Sequence, residues 1–310
     1  MRGSLPKRDF LSIDDLSPDE LRNLVASAAA IKSDPRSVAG SLAGKQVALV
    51  FEKPSTRTRV SFEVAVEEMG GHAVVLRGDE LQLGRGETIE DTGRVLSRYV
   101  DCICVRTAGH DRLDRLAAAS TVPVVNALSD FSHPCQALAD VQTIFEHRMQ
   151  SDDITLAYFG DGNNVAHSLM FAGTKLGFDV RIAAPPGYEP ERAVVERCRS
   201  LASDSGGGIE ITADVGAAAA GADVLYTDVW TSMGQESEAE ERKTTFASYQ
   251  VNEDLLALAA ADAIVMHCLP AHRGEEISAA VIDGDRSVVW DQAENRLHSQ
   301  KALLAWLLRR

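Results

Sequence analysis

Val47-Ala48-Leu49-Val50-Phe51-Glu52-Lys53-Pro54-Ser55-Thr56-Arg57-Thr58-Arg59-Val60-Ser61-Phe62-Glu63 is an apolar run that yields at a proline to a Ser/Thr/Arg cluster and then to a second apolar stretch. Val47 to Phe51 reads as a short buried strand, and Pro54 ends it. Beyond Ser55, Val60, Phe62, Val64, Val66 and Met69 continue as a largely apolar helix. The first turn of that helix leaves backbone N–H groups without intrahelical partners, beside the hydroxyls of Ser55, Thr56 and Thr58 and the Arg57 guanidinium. Such a terminus attracts anions through its free donors and its dipole, and arginine adds a planar fork that matches phosphate oxygens. Taken alone, the segment fits a capped helix with solvated arginines equally well.

Working outward, the strand-then-helix pattern repeats. Gln46 to Phe51, His72 to Leu76, Cys102 to Arg106 and Val122 to Asn126 read as strands. Between and around them lie helical patterns at Leu21 to Ile31, after Ser55, at Thr88 to Tyr99, near Leu113 to Ala118, and at Pro134 to His147. After the polar stretch Gln150-Ser151-Asp152-Asp153 a second series begins, with strands at Ile154 to Phe159, Val180 to Ala183, Ile209 to Thr212, Val224 to Thr227 and Ile264 to His267. Its helices follow Asn164 and occupy Glu191 to Leu201, Ala217 to Ala220 and Glu253 to Ala260. The alternation predicts an α/β protein of two doubly wound parallel-sheet domains, 1–150 and 151–291, with a ligand cleft between them. The apolar helix Leu297 to Leu308, within 292–310, has no strand after it and is expected to pack back on the first domain. Gly206 to Gly208 and the charged Gln235 to Lys243 read as surface loops, the second a candidate lid.

Size and charge narrow the function. With 310 residues, 45% of them hydrophobic, the chain can bury a large core. Its net charge of -15, from 46 acidic against 31 basic residues, argues against nucleic acid or an anionic membrane as partner. No apolar run approaches the roughly 20 residues of a membrane span, and Met1 to Val25 lacks a signal-peptide core, so a soluble cytoplasmic protein is expected. The cysteines, Cys102, Cys104, Cys135, Cys198 and Cys268, are odd in number and scattered, unlike a disulfide framework.

Several predicted strands end in an unexpected polar residue. Arg106 closes one, His133 and Gln136 open a long helix, Asp228 follows Tyr226-Thr227, and Cys268 follows His267. One such residue is ordinarily a cap or a surface charge; several at equivalent ends of parallel strands suggest a site. Arg106, His133 and Gln136 can bind an anion or polarise a carbonyl, whereas Asp228 and Cys268 suit an ammonium that must lose a proton. Ser232-Met233-Gly234 adds hydroxyl and backbone donors, and Asn164 a group for a carboxylate. Other motifs fail. Gly40 to Gln46 is too short for a P-loop and has Gln46 at the magnesium position. Gly160-Asp161-Gly162-Asn163-Asn164 lacks the third glycine and the ribose-binding acid of a dinucleotide site, leaving a Rossmann-like second domain without one. His133-Pro134-Cys135 has no Cys-x-x-Cys to complete a zinc site. Neither a cofactor nor a metal is expected.

Together, Ser55 to Arg59, His133-Pro134-Cys135-Gln136, Asp228 with Ser232-Met233-Gly234, and His267-Cys268-Leu269-Pro270 resemble the signature set of the ornithine carbamoyltransferase family, across nearly the whole chain. The resemblance implies that 1–150 is the carbamoyl-phosphate domain, that Ser55, Thr56, Arg57, Thr58, Arg106, His133, Gln136 and, from the C-terminal helix, Arg296 bind carbamoyl phosphate, that Cys268 and Leu269 contact it at the junction of the two substrates, and that Gln82 reaches in from a neighbouring subunit of a homotrimer. It implies that 151–291 holds L-ornithine through Asn164, Asp228, Ser232 and Met233, that Arg106, His133, Asp228 and Cys268 are catalytic, and that the products are citrulline and phosphate, a step of arginine biosynthesis. Asp130-Phe131-Ser132 departs locally from the acidic-aromatic pair that commonly stands directly before the histidine in this family. The same chemistry on putrescine or acetylornithine, and a non-catalytic phosphometabolite-binding protein, are the alternatives.

Overall fold

A computed structural model describes residues 7–78, 81, 86–148, 153–231 and 236–308. All sheet pairings among these residues are parallel, as strands separated by crossover helices require. The chain divides into two compact units, 1–139 with 295–310 and 140–294. Both divisions fall inside helices.

In the first unit β1 (Gln46–Phe51), β2 (His72–Arg77), β3 (Cys102–Arg106) and β4 (Val124–Leu128) form a sheet in the order β2-β1-β3-β4. Helices α1 (Pro18–Ser33), α2 (Thr56–Glu68), α3 (Ile89–Leu96), α4 (His110–Ala119) and the start of α5 (Pro134–His147) surround it. β1 and β3 are apolar along nearly their whole length because both of their faces are covered. Ala48, Val50, Ile103 and Val105 pack there against Leu113 and Leu116 of α4. β4 starts two residues later than its sequence suggests, since Pro123 has no N–H for the ladder and offers only its carbonyl, to Ile103.

The second unit has β5 (Thr155–Phe159), β6 (Asp179–Ala183), β7 (Gly208–Thr212), β8 (Val224–Thr227) and β9 (Ile264–His267) in the order β7-β6-β5-β8-β9. Its helices are α6 (Asn164–Leu176), α7 (Arg192–Ser205), α8 (Val215–Ala219), α9 (Ala239–Phe246), α10 (Glu253–Leu258), α11 (Ala279–Ile282) and the start of α12 (Val289–Leu308). α12 begins eight residues before the apolar stretch that announced it, because beyond Val289 its first turns bury the polar Gln292, Asn295 and Arg296. Its later part belongs to the first unit, where Ala302 packs on Ala28 and Ile31 of α1.

Of the two expected loops, the first is a short turn, Gly206-Gly207, and the described part of the second is regular structure. Gly206 ends α7 in the left-handed conformation, φ 87°, and Gly208 already starts β7. Of the stretch 235–243, Glu236–Glu238 is a 3-10 turn and Ala239 onward is α9. The charged pattern misleads there because Arg242 is buried: its Nε donates to the Trp230 carbonyl at 2.5 Å, another guanidinium nitrogen pairs with Asp161, and the Tyr188 and Phe246 rings lie 4.9 and 5.1 Å away.

In each sheet the chain first runs outward to one side and then crosses to the other. β1 is thus flanked by β2 and β3, and β5 by β6 and β8. At such a reversal the loops leaving neighbouring strands diverge and open a crevice beyond their carboxyl ends. No described helix is long and apolar enough to cross a membrane.

Candidate active site

At the first reversal, Phe51 of β1 lies in register with Arg106 of β3, and the Glu52 N–H donates to the Arg106 carbonyl at 3.0 Å. This pairing sets Arg106 beside the start of α2. Ser55 precedes α2 in extended conformation, but its hydroxyl does not cap the helix; it accepts from Arg106 Nη1 at 3.3 Å. Arg296 of α12 donates to Gln136 Oε1 at 2.6 Å and to Thr58 Oγ1 at 3.2 Å. Thr58, Arg106, His133, Gln136 and Arg296 are buried, while Thr56 and Arg57 are exposed.

The three guanidinium groups act on one another. Arg106 is pushed down to about 10, first by burial and then by the charges of Arg296 and Arg57. His133 is held well below the usual imidazole range by burial, then by Arg296, Arg106 and Arg57. A neutral imidazole ringed by three cations can donate or accept a hydrogen bond without adding to the repulsion. The cluster calls for a small, multiply charged anion. Asn126 braces the turn that precedes His133: its Nδ2 donates to Leu11 O at 2.9 Å, to Ser129 Oγ at 3.1 Å and to Ser132 O at 3.3 Å, and Phe131 lies 5.0 Å from the His110 ring. Cys135 donates to Asn126 O at 3.3 Å, and burial pushes its thiol up to about 12, so it packs and does not attack. Beside Ser55 a cavity of about 630 Å³ opens between Lys53, Arg59, Glu63 and Arg77.

At the second reversal, Phe159, Thr227 and His267 end three strands in register. The residues just beyond them meet: Cys268 Sγ donates to Asp228 Oδ1 at 2.9 Å, and Asn163 Nδ2 donates to Asp228 Oδ2 at 3.1 Å. Asn163 also caps α6, its Oδ1 accepting from the Val165 and Ala166 N–H groups at 2.9 and 3.2 Å. Tyr158 is held well above the usual phenol range by burial, with Asp228, Asp161 and Cys268 adding to it, so it stays a proton donor. His267 Nδ1 accepts the Leu269 N–H at 2.8 Å, which leaves its Nε2–H to donate to Glu276 at 3.1 Å. That contact fixes Leu269, a non-glycine residue at φ 57°, next to Cys268.

Asp228, His267 and Cys268 bring ligand atoms within 4.8 Å of one another. With both ring nitrogens of His267 engaged, only the carboxylate and the thiol remain to turn toward a cation, a poor fit to a three-ligand metal centre. A dinucleotide fits no better: at Gly162, where that motif needs room for a diphosphate, an added Cβ would lie 2.2 Å from the Pro190 nitrogen.

Gln82, Ser232 and Met233 lie outside the described residues. Asn164 is the first residue of α6, and Asn163 rather than Asn164 makes the contact with Asp228. Sequence reasoning missed Asn163 and Glu276. A capping-type residue directly before an apolar run was the available signal for the first; Glu276 meets His267 only through the fold.

A family model described as the carbamoyl-P binding domain of aspartate/ornithine carbamoyltransferase matches residues 8–146, and its companion, the Asp/Orn binding domain, matches 152–307. The chain belongs to the aspartate/ornithine carbamoyltransferase family. Within it, the chain is 58% identical to the ornithine carbamoyltransferase of Parafrankia sp. over 97% of its own length and 96% of the relative's. It is 54% identical to the anabolic ornithine carbamoyltransferase of Pyrococcus furiosus, covering 98% of each. The solved structure of ornithine carbamoyltransferase from Pyrococcus furiosus superposes with a TM-score of 0.93, at 55% identity and 97% of each chain. In this carbamoyltransferase the arginine cluster around His133 draws on both matched regions, because Arg296 comes from the second of them.

Proposed function

We propose that this chain is an ornithine carbamoyltransferase, transferring the carbamoyl group of carbamoyl phosphate to the side-chain amine of L-ornithine to give citrulline and phosphate, as a step of arginine biosynthesis. The observation that carries the choice of amine is the Cys268 thiol hydrogen-bonded to the Asp228 carboxylate at 2.9 Å. An acidic, thiol-bearing strand end attracts a cationic side chain and can take its proton; an aspartate substrate would need cations there instead.

In this reading Ser55, Thr56, Arg57, Thr58, Gln136 and Arg296 bind the phosphate, with Leu269 and Cys268 against the carbamoyl end. Arg106 and neutral His133 donate to the carbamoyl oxygen as it gains charge, each donor contributing on the order of 3 kcal/mol to transition-state stabilisation. Asp228 and Cys268 orient the ornithine amine and assist its deprotonation. The N–C bond forms, the C–O bond to phosphate breaks, and the arginines neutralise the leaving dianion. Asn164, Ser232 and Met233 hold the amino-acid end, with Asn163 fixing Asp228. Gln82 reaches the phosphate from a neighbouring subunit of a homotrimer, and the enzyme works in the cytoplasm.

The test is a citrulline assay with carbamoyl phosphate and equal concentrations of ornithine, N-acetylornithine, putrescine and aspartate. Ornithine should give the largest kcat/KM by at least about tenfold; a higher value for any other amine would overturn the assignment.

A further inference from the structure

The geometry points to a divalent-cation site formed by His272, Glu275 and Glu276, on the loop that follows the Cys268 turn. Their ligand atoms lie within 4.8 Å of one another. His272 Nδ1 is 3.8 Å from Glu276 Oε2 and 4.0 Å from Glu275 Oε2, beyond the roughly 3.3 Å between two ligands of a tetrahedral ion, a gap that a turn of the half-exposed His272 ring closes. Glu276 supplies the second, independent observation. Its side chain is 0% exposed, yet Oε2 has no hydrogen-bond partner among the described residues. Its other oxygen is fully used, accepting from the His267 ring at 3.1 Å and from the His272 N–H at 2.5 Å. A buried carboxylate oxygen aimed at an imidazole nitrogen, without a donor, is costly unless something positive completes it. The nearest cations are otherwise placed: Arg273 pairs with Asp283 at 2.7 Å, and Lys243 sits 3.1 Å from the opposite oxygen of Glu275.

One imidazole and two carboxylates, with His272 half exposed to admit the ion, suit a borderline cation such as Zn²⁺ or Co²⁺ holding water at its open positions. The ion would share Glu275 with Lys243. It would also share Glu276 with His267, so that it braces the residue that holds Leu269.

The experiment uses Zn²⁺ and Co²⁺ alone, by equilibrium dialysis against the full chain carrying Cys268→Ser, which removes the sulfur of the neighbouring Asp228–Cys268 pair. One Zn²⁺ per chain should remain bound, and adding His272→Ala should weaken it at least about tenfold. Bound Co²⁺ should absorb in the visible without a thiolate charge-transfer band, in the wild-type chain as in the Cys268→Ser variant. No binding to the Cys268→Ser chain, or binding indifferent to His272→Ala, would overturn the site. Because neither readout uses carbamoyl transfer, failure here leaves the proposed reaction untouched.

Discussion

The two strand reversals solve the same architectural problem with opposite charge. In the first unit, the start of α2 beyond β1, the end of β3 and a turn of α12 bring Arg57, Arg106 and Arg296 around a buried, neutral His133. In the second, loops leaving β8 and β9 gather Asp228 and Cys268, with Tyr158 kept protonated beside them. One end awaits an anion to relieve its crowded cations, the other an ammonium. A parallel sheet dictates where a ligand goes, and the few side chains beyond the strand ends dictate which one.

The sharpest way to break this contrast is to remove a cation. For Arg106→Ala we expect kcat to fall roughly 10³-fold, the cost of losing a preorganised donor to the carbamoyl oxygen. Ornithine affinity should change little. Steady-state kinetics would contradict the assignment if turnover survived within tenfold.

On the acidic side the expected loss is smaller. Cys268→Ser keeps a hydrogen-bond donor to Asp228 but not the sulfur, and we expect turnover to drop about 10- to 100-fold. Direct titration with carbamoyl phosphate should give a Kd within about twofold of wild type. A Kd that weakened as much as turnover fell would mean that the two ends do not divide the substrates as described.

The cationic end was far more legible in the sequence. Arginine and histidine at a strand end or helix start are chemically specific, and Ser55, Thr58, Arg106, His133 and Gln136 could be named from position alone. Arg296 came from resemblance, since the polar first turns of α12 hide its helix. The acidic end depends on partners chosen by the fold. Asp228 was visible, but its bond to Asn163 spans 65 residues, and the His267 to Glu276 contact lies within a loop without periodicity. Arg242 was misread for the same reason, because charge in sequence looks solvated until burial shows otherwise.

His133 offers a gentler probe of the cationic end. Its imidazole is depressed in the folded chain and returns to the ordinary value, about 6.5, on unfolding. Below that pH the unfolded chain takes up a proton that the folded chain refuses. Stability from this group is therefore complete above about 6.5 and drains as pH falls toward the depressed value, by up to about 1.4 kcal/mol per pH unit. Urea unfolding between pH 7 and 5 should show the wild-type chain losing stability more steeply than His133→Asn. Parallel profiles would mean that burial and the neighbouring arginines together do not depress this imidazole.

The smallest effect separates architecture from chemistry at one residue. Asn163 serves α6 through its amide oxygen and Asp228 through its amide nitrogen. Asn163→Ser keeps a cap acceptor but cannot reach Asp228 with the same donor, whereas Asn163→Ala removes both. Thermal or urea unfolding should place the serine variant within about 0.5 kcal/mol of wild type and the alanine variant about 1 kcal/mol below it. Both variants should raise the KM for ornithine by a similar few-fold factor, with carbamoyl phosphate unaffected, because Asp228 has lost one of the bonds that aim it. If the KM followed stability instead, rising only for alanine, Asn163 would be a helix cap and nothing more, and the orientation of Asp228 would rest on the Val229 N–H at 2.8 Å and on Cys268.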